Sequence, residues 1–349
     1  MTTQTPSTSP RVADRQAAPV TPEPIMRLAS GFMAAKHLFA ANELGLFEAL
    51  ADSRATIDDL AARTGLTRRA ARISADAMVA LGLLERQGDT YGNGETADAF
   101  LAGRGPADLR PFLRFWDKIS YPAWQSLSEA LGSGPPTEIF ELDDTLQEIA
   151  SAGIDAILAG PASALPQVYD FSGHPRLLDV GGGTGSWSIA IAQRNPNLRA
   201  TVLDLPVVVN LARERIAAAG LEARVEAVVG NAMNEPLPRG YDAILVANLV
   251  HYWSADENCA LFERIREAVE PGARLLLADF WTDPTHTQPV HAALMAGEFA
   301  VHVRNGDVYS VDEIKDWLAA TGWRFREHAA LAGPQSVIVA EAGDTNGAR

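Results

Sequence analysis

Leu177-Leu178-Asp179-Val180-Gly181-Gly182-Gly183-Thr184-Gly185-Ser186 runs an apolar strand into a glycine-packed turn at the start of a helix. Glycine backbones approach a ligand closely and accept positive φ, and the free N–H groups of the following helix favour electronegative atoms. The stretch therefore predicts a nucleotide-type cofactor loop at the head of a parallel α/β sheet. Such a site wants a carboxylate at the end of the next strand, where ribose hydroxyls can donate to it. Thr201-Val202-Leu203-Asp204 supplies one, 19 positions past Gly185. Spacing then narrows the cofactor. The third glycine of G-x-G-x-x-G, which lets helix and strand close up under a pyrophosphate, is Ser186 here. Gly181, Gly183 and Gly185, with Asp179 placed to hold an ammonium, suit a ligand with a ribose and an amino-acid portion. S-adenosylmethionine meets that description better than NAD.

Bulk properties limit the partners. A chain of 349 residues, 47% hydrophobic and 21% charged, is a globular protein of more than one domain. Its net charge of −15 repels nucleic acid and anionic membranes and leaves a small molecule as the natural partner. The single cysteine, Cys259, rules out an intramolecular disulfide and cysteine-rich metal sites, as expected of a cytoplasmic protein. No signal-peptide core or membrane-length apolar run is read, so no membrane association is expected.

Residues 1–22, rich in Thr, Ser and Pro, read as a tail. Residues 23–105 read as a winged helix. A helix from Met26 to Leu46 is followed by one beginning at Thr56, whose Asp59 completes a capping signal, and by a third over Thr67–Leu84. A hairpin turning at Gly88-Asp89 comes next. Arg63, Arg68, Arg69 and Arg72 on the would-be recognition helix raise a DNA-binding alternative, which the acidic whole disfavours. Residues 106–172 form a helical connector dense in aromatics (Phe112, Phe115, Trp116, Tyr121, Trp124), material for a core or a pocket wall. Residues 173–349 alternate strands with helices. The further strands are Arg224–Val229, Asp242–Ala247, Ala273–Phe280, Trp323–Ala330 and Gln335–Ala342, in a doubly wound sheet. Gly181, Asp204, Asn231, His251 and Phe280 all fall at or just past strand carboxyl ends, where such sheets bind ligands.

With these motifs in place, residues 26–342 resemble the class I S-adenosylmethionine-dependent small-molecule O-methyltransferases of the plant-caffeate type. The resemblance rests on Asp179-Val180-Gly181-Gly182-Gly183-Thr184-Gly185, on Leu203-Asp204-Leu205-Pro206, on His251-Tyr252-Trp253-Ser254-Ala255-Asp256-Glu257, and on the winged-helix N-terminus that this family uses to dimerise. It implies a homodimer with Asp179 and the glycine loop around the cofactor. It places Asp204 and Leu205 at the ribose, Asn231 and Ala232 near adenine, and His251 as general base. Imidazole titrates near neutrality and can take the proton of an acceptor hydroxyl, typically contributing ~10²–10⁴-fold in rate. Pocket walls are expected from Phe115, Trp116, Trp124, Met295, Phe299 and His302.

Three departures from the family's pattern stand out. Tyr252 follows the histidine where an acid is common, and Asn231 replaces another acid. Val308 stands where plant-type members carry a glutamate that braces the histidine. Asp279, Asp283, Glu298 and Asp307 are the candidates to replace that brace. Glu298-Phe299-Ala300-Val301-His302 also resembles a segment of α-keto-acid C-methyltransferases, which would pair His251 with His302 on a metal. A winged-helix regulator that senses S-adenosylmethionine is a third reading.

Overall fold

The computed structural model describes residues 20–105 and 107–344, so nearly all of the expected tail lies outside the described residues. The N-terminal part opens with α1 (Glu23–Ala29) and α2 (Phe32–Glu43), with a break at Ser30-Gly31 where one helix was expected. The short α3 (Leu46–Ala49) and β1 (Ala55–Thr56) lead to α4 (Ile57–Thr64) and α5 (Arg68–Ala80). The Thr56 hydroxyl and the Asp59 carboxylate cap α4 reciprocally, as the sequence foretold. The hairpin β2 (Leu84–Gln87) and β3 (Thr90–Asn93) turns at Gly88-Asp89, and β1 pairs with β3 to complete the wing. Phe47, Leu60, Met78 and Tyr91 fill its core. The arginines are largely engaged locally: Arg63 donates to the carbonyls of Ala49 and Ser53, Arg68 pairs with Asp58 at 2.7 Å, and Arg72 pairs with Asp76 at 3.1 Å.

After α6 (Glu95–Phe100), the connector is more broken than its aromatic spacing predicted. It comprises α7 (Arg110–Phe115), a π turn over Trp116–Ser120, α8 (Tyr121–Trp124), α9 (Leu127–Ser133) and the 25-residue α10 (Asp144–Val168). The last crosses α7 closely, since a Cβ on Gly153 would stand 2.4 Å from the Phe115 Cβ. Among the described residues α10 alone is long and apolar enough to cross a membrane, contrary to the sequence reading; here it packs on α7 and α11 (Ser186–Arg194).

The C-terminal part holds β4 (Arg176–Val180), then α11, then β5 (Arg199–Asp204), α12 (Pro206–Ala218), β6 (Val225–Val229) and β7 (Ala243–Ala247). There follow α13 (Ala255–Ala268), β8 (Arg274–Asp279), α14 (Val290–Ala300), α15 (Val311–Ala320), β9 (Trp323–Ala330) and β10 (Ser336–Ala342). The seven-stranded sheet has the order β6-β5-β4-β7-β8-β10-β9, parallel through β8 and antiparallel at β10 and β9. Strand alternation sends Leu177 to one face, with Trp187, Ile191, Val209 and Ile216, and Leu178 and Val180 to the other, with Leu261, Phe262, Ile265 and Ile314. Chain direction reverses sides at β4, whose neighbours are β5 and β7, so the cleft of the fold opens at its carboxyl end.

Candidate active site

A cleft of about 400 Å³ lies at that switch point, within the usual range for small-molecule sites. Gly181, Gly182, Gly183 and Thr184 border it, with Asp204 and Leu205 after β5, and Asn231, Ala232 and Met233 after β6. The loop glycines are needed: Gly181, Gly183 and Gly185 sit at φ 64°, 59° and 82°. Asp204 Oδ2 accepts from the Gly183 N–H at 2.8 Å and Oδ1 from the Leu205 N–H at 2.7 Å, which fastens the loop to β5. Burial raises the Asp204 pKa, and those two N–H donors oppose the rise.

Two residues expected at the ligand lie behind the loop in this structure. Asp179 is fully buried beneath the loop, where its Oδ2 accepts from the Ser188 hydroxyl at 2.7 Å, and it does not border the cleft. Its odd-numbered position in β4 turns it toward α11, and burial pushes its pKa up to about 7. Gly185 likewise faces inward, toward Val202, Ile189 and Ile216, and serves as the left-handed N-cap of α11.

The carboxylate that does reach the cleft beside the loop is Asp155 on α10, which no sequence motif marked. Buried polar atoms without hydrogen bonds gather around the same cleft: Asp155 Oδ2, the Trp187 indole N–H and Asn248 Oδ1, the last on a residue at φ 53°. Such groups cost free energy unless a ligand or water satisfies them. Asp155 Oδ2 has the Arg215 guanidinium 2.6 Å away as an ion-pair partner; the positive-φ loop, the ribose-type acid and the unpaired Trp187 and Asn248 atoms fit a nucleoside with an amino-acid tail.

His251 sits on a 3₁₀ turn (Val250–Tyr252) after β7 and is 4% exposed. Its Nδ1 lies 2.7 Å from Oδ1 of Asp279, the last residue of β8, which also accepts the Phe280 N–H at 2.8 Å. Of the four candidate acids, Asp279 is the brace. Asp283 ties its own loop, Glu298 serves His302, and Asp307 accepts the Val308 N–H. When the neutral imidazole donates to Asp279 through Nδ1, Nε2 is the ring nitrogen left as acceptor. Val308 is buried in the aromatic cluster.

Of the residues expected at the acceptor, Phe115, Trp116, Met295 and Phe299 share one packed cluster, and Phe299 touches His251. Phe115 and Phe299 are buried with Val303 and Val308, and Trp116 and Met295 lie against them. Phe299 stacks flat on His251, ring centroids 3.7 Å apart at 10°, and Tyr252 meets it edge-on at 4.3 Å. None of the six borders the cofactor-sized cleft, whose wall on the histidine side is Tyr252. Trp124 and Ser120 donate to Glu298, which also meets His302 Nε2 at 3.0 Å. Each imidazole of the postulated metal pair thus has its own carboxylate. Among the described residues no group of three or more His, Cys, Asp or Glu is placed to hold a metal ion.

Residues 128–324 match the O-methyltransferase domain family, and residues 26–103 match the O-methyltransferase dimerisation domain. The chain belongs to the O-methyltransferase family. It is an S-adenosylmethionine-dependent O-methyltransferase of small molecules. Among curated relatives of this O-methyltransferase, the 3-hydroxy-5-methyl-1-naphthoate 3-O-methyltransferase of Streptomyces sahachiroi is 34% identical over 84% of this chain and 87% of its own. The tetracenomycin polyketide synthesis 8-O-methyl transferase TcmO of Streptomyces glaucescens is 30% identical over 91% and 96%. Among solved structures, the S-adenosylmethionine-dependent methyltransferase SibL in its apo form superposes with a TM-score of 0.78 at 30% identity, covering 93% of this chain and 100% of that one.

Proposed function

We propose that this enzyme methylates a hydroxyl of a small aromatic or polyketide-type metabolite, with His251 as the general base held by Asp279. S-adenosylmethionine supplies an electrophilic methyl group on a sulfonium. Asp204, with Leu205 beside it, takes the ribose hydroxyls, Asn231 and Ala232 face the adenine, and the backbone at Gly181 and Gly183 admits the ligand closely. His251 Nε2 takes the acceptor's proton as its oxygen attacks, and Asp279 stabilises the imidazolium that results. In-line transfer needs the acceptor held in place, and the partly buried Phe280 and Met295, in the cluster that packs Phe299 against His251, offer apolar side chains to an aromatic ring. The observation that carries this reading is the 2.7 Å contact between His251 Nδ1 and Asp279, which leaves Nε2 as the free base. The naphthoate and polyketide acceptors named for the two curated relatives support the acceptor class.

The same proposal includes a cytoplasmic homodimer. Ile25, Met26, Leu28, Phe32 and Met33 stand 52–79% exposed on α1 and α2, an apolar strip that a second copy would cover. Incubation with labelled S-adenosylmethionine and a panel of phenols, naphthoates, polyketides, amines and α-keto acids, read by product mass, tests the acceptor. An oxygen-methylated aromatic is expected. Turnover of α-keto acids alone would overturn the reading.

A further inference from the structure

We infer that Asp155 receives the α-ammonium of S-adenosylmethionine, so that the amino-acid end of the cofactor is read by helix α10. The inference rests on the cleft being the cofactor site and names a residue for its amino-acid end. Among the described residues bordering the cleft, only Asp155 and Asp204 carry a carboxylate. Asp204, at the end of β5, is committed to the ribose side and already accepts two backbone N–H groups. Asp155 stands on the opposite flank of the loop. Its Oδ1 accepts from the hydroxyls of both Thr184 and Ser186, the latter at 2.7 Å.

The other oxygen is the one that points to a ligand. The Asp155 side chain is 9% exposed, and its Oδ2 is buried without a hydrogen bond. Arg215 Nη2 approaches that oxygen to 2.6 Å and balances its charge, but outside hydrogen-bond geometry. Lone pairs there remain for a donor. An ammonium brings three donors and no acceptor, which is what a buried carboxylate oxygen with free lone pairs would bind. Gln147 and Ser151 border the cleft from the same face of α10 at four-residue spacing, so the helix offers a polar stripe to that end of the ligand. Ser186 and Thr184 then have a second purpose, since they hold the carboxylate in one orientation.

The test is calorimetric and needs no acceptor. S-adenosylhomocysteine, its deaminated analogue and 5′-methylthioadenosine are titrated into the full-length protein and into Asp155→Asn, which keeps an acceptor for the two hydroxyls. The deaminated analogue should bind the unaltered protein about 10–100-fold more weakly than S-adenosylhomocysteine, the size of a lost charge-assisted hydrogen bond. In Asp155→Asn the two should converge, with 5′-methylthioadenosine changed by less than about twofold. Equal affinity of the first two ligands for the unaltered protein would overturn the assignment even if the variant failed to fold. An equal loss for all three ligands in Asp155→Asn, or no loss, would also overturn it. Asp204→Asn serves as the separate control: if it leaves 5′-methylthioadenosine binding intact, the cleft itself has been misread.

Discussion

Asp279 Oδ1 lies 2.7 Å from His251 Nδ1, and the two residues, 1% and 4% exposed, come from the end of β8 and from the 3₁₀ turn that follows its parallel neighbour β7. A buried carboxylate at this distance fixes both the tautomer and the ring plane of the imidazole. Asp279→Asn should therefore lower kcat by about 10²-fold or more while leaving S-adenosylhomocysteine affinity within about twofold. A variant with unchanged kcat would remove Asp279 from the mechanism.

Asp179 has a different consequence, which appears in stability. Its folded-state pKa is raised from 3.8 to about 7 by burial, so the folded protein holds this proton more tightly than the unfolded chain. The associated stability is fully present below about pH 4 and is lost as pH rises through about 7. Asp179→Asn removes the buried charge. Its melting temperature should exceed the parent's at pH 8, by a free energy whose ceiling is about 4 kcal/mol, and the advantage should disappear at pH 4. An advantage independent of pH would contradict this account.

The loop glycines should separate by what a methyl group would meet. At Gly183 nothing lies within 4 Å of an added Cβ, so Gly183→Ala should cost only the left-handed backbone penalty of about 1–2 kcal/mol. At Gly181 the Cβ would also stand 2.5 Å from Leu249 Cδ2, and Gly181→Ala should cost roughly 1 kcal/mol more. Urea unfolding of the two variants checks the order, and a reversed order would refute the backbone reading.

For the dimer, Leu28→Asp combined with Phe32→Asp places two charges on the exposed strip of α1 and α2. Sedimentation at micromolar concentration should report a dimer for the parent and a monomer for the double variant. A monomeric parent would retire this interface.

Much of this was legible in the sequence because it was local. The β4–glycine–α11 run and the Thr56–Asp59 capping box each depend on residues within a few positions of one another, and Asp204 closes the strand that follows the run, 19 positions past Gly185. The side on which Asp179 stands follows from parity: it shares that of Leu177, and period-two alternation turns both toward α11. The brace on His251 was narrowed to four acids and no further, because choosing Asp279 requires knowing that β8 lies beside β7. Asp155 was invisible for the same reason. It reaches the loop across 29 and 31 residues, from a helix whose apolar composition drew attention to packing alone. Phe299 was placed near the acceptor, and only the fold revealed that it lies flat against the imidazole.

In the proposed mechanism Asp204 holds the cofactor and His251 accepts the proton. Paired calorimetry and turnover on Asp204→Ala and His251→Ala test it most directly. Asp204→Ala should lose S-adenosylhomocysteine affinity by about 10-fold or more. His251→Ala should bind as the parent does and turn over about 10²–10⁴-fold more slowly. The reverse pattern, with binding lost at His251 and retained at Asp204, would contradict the account.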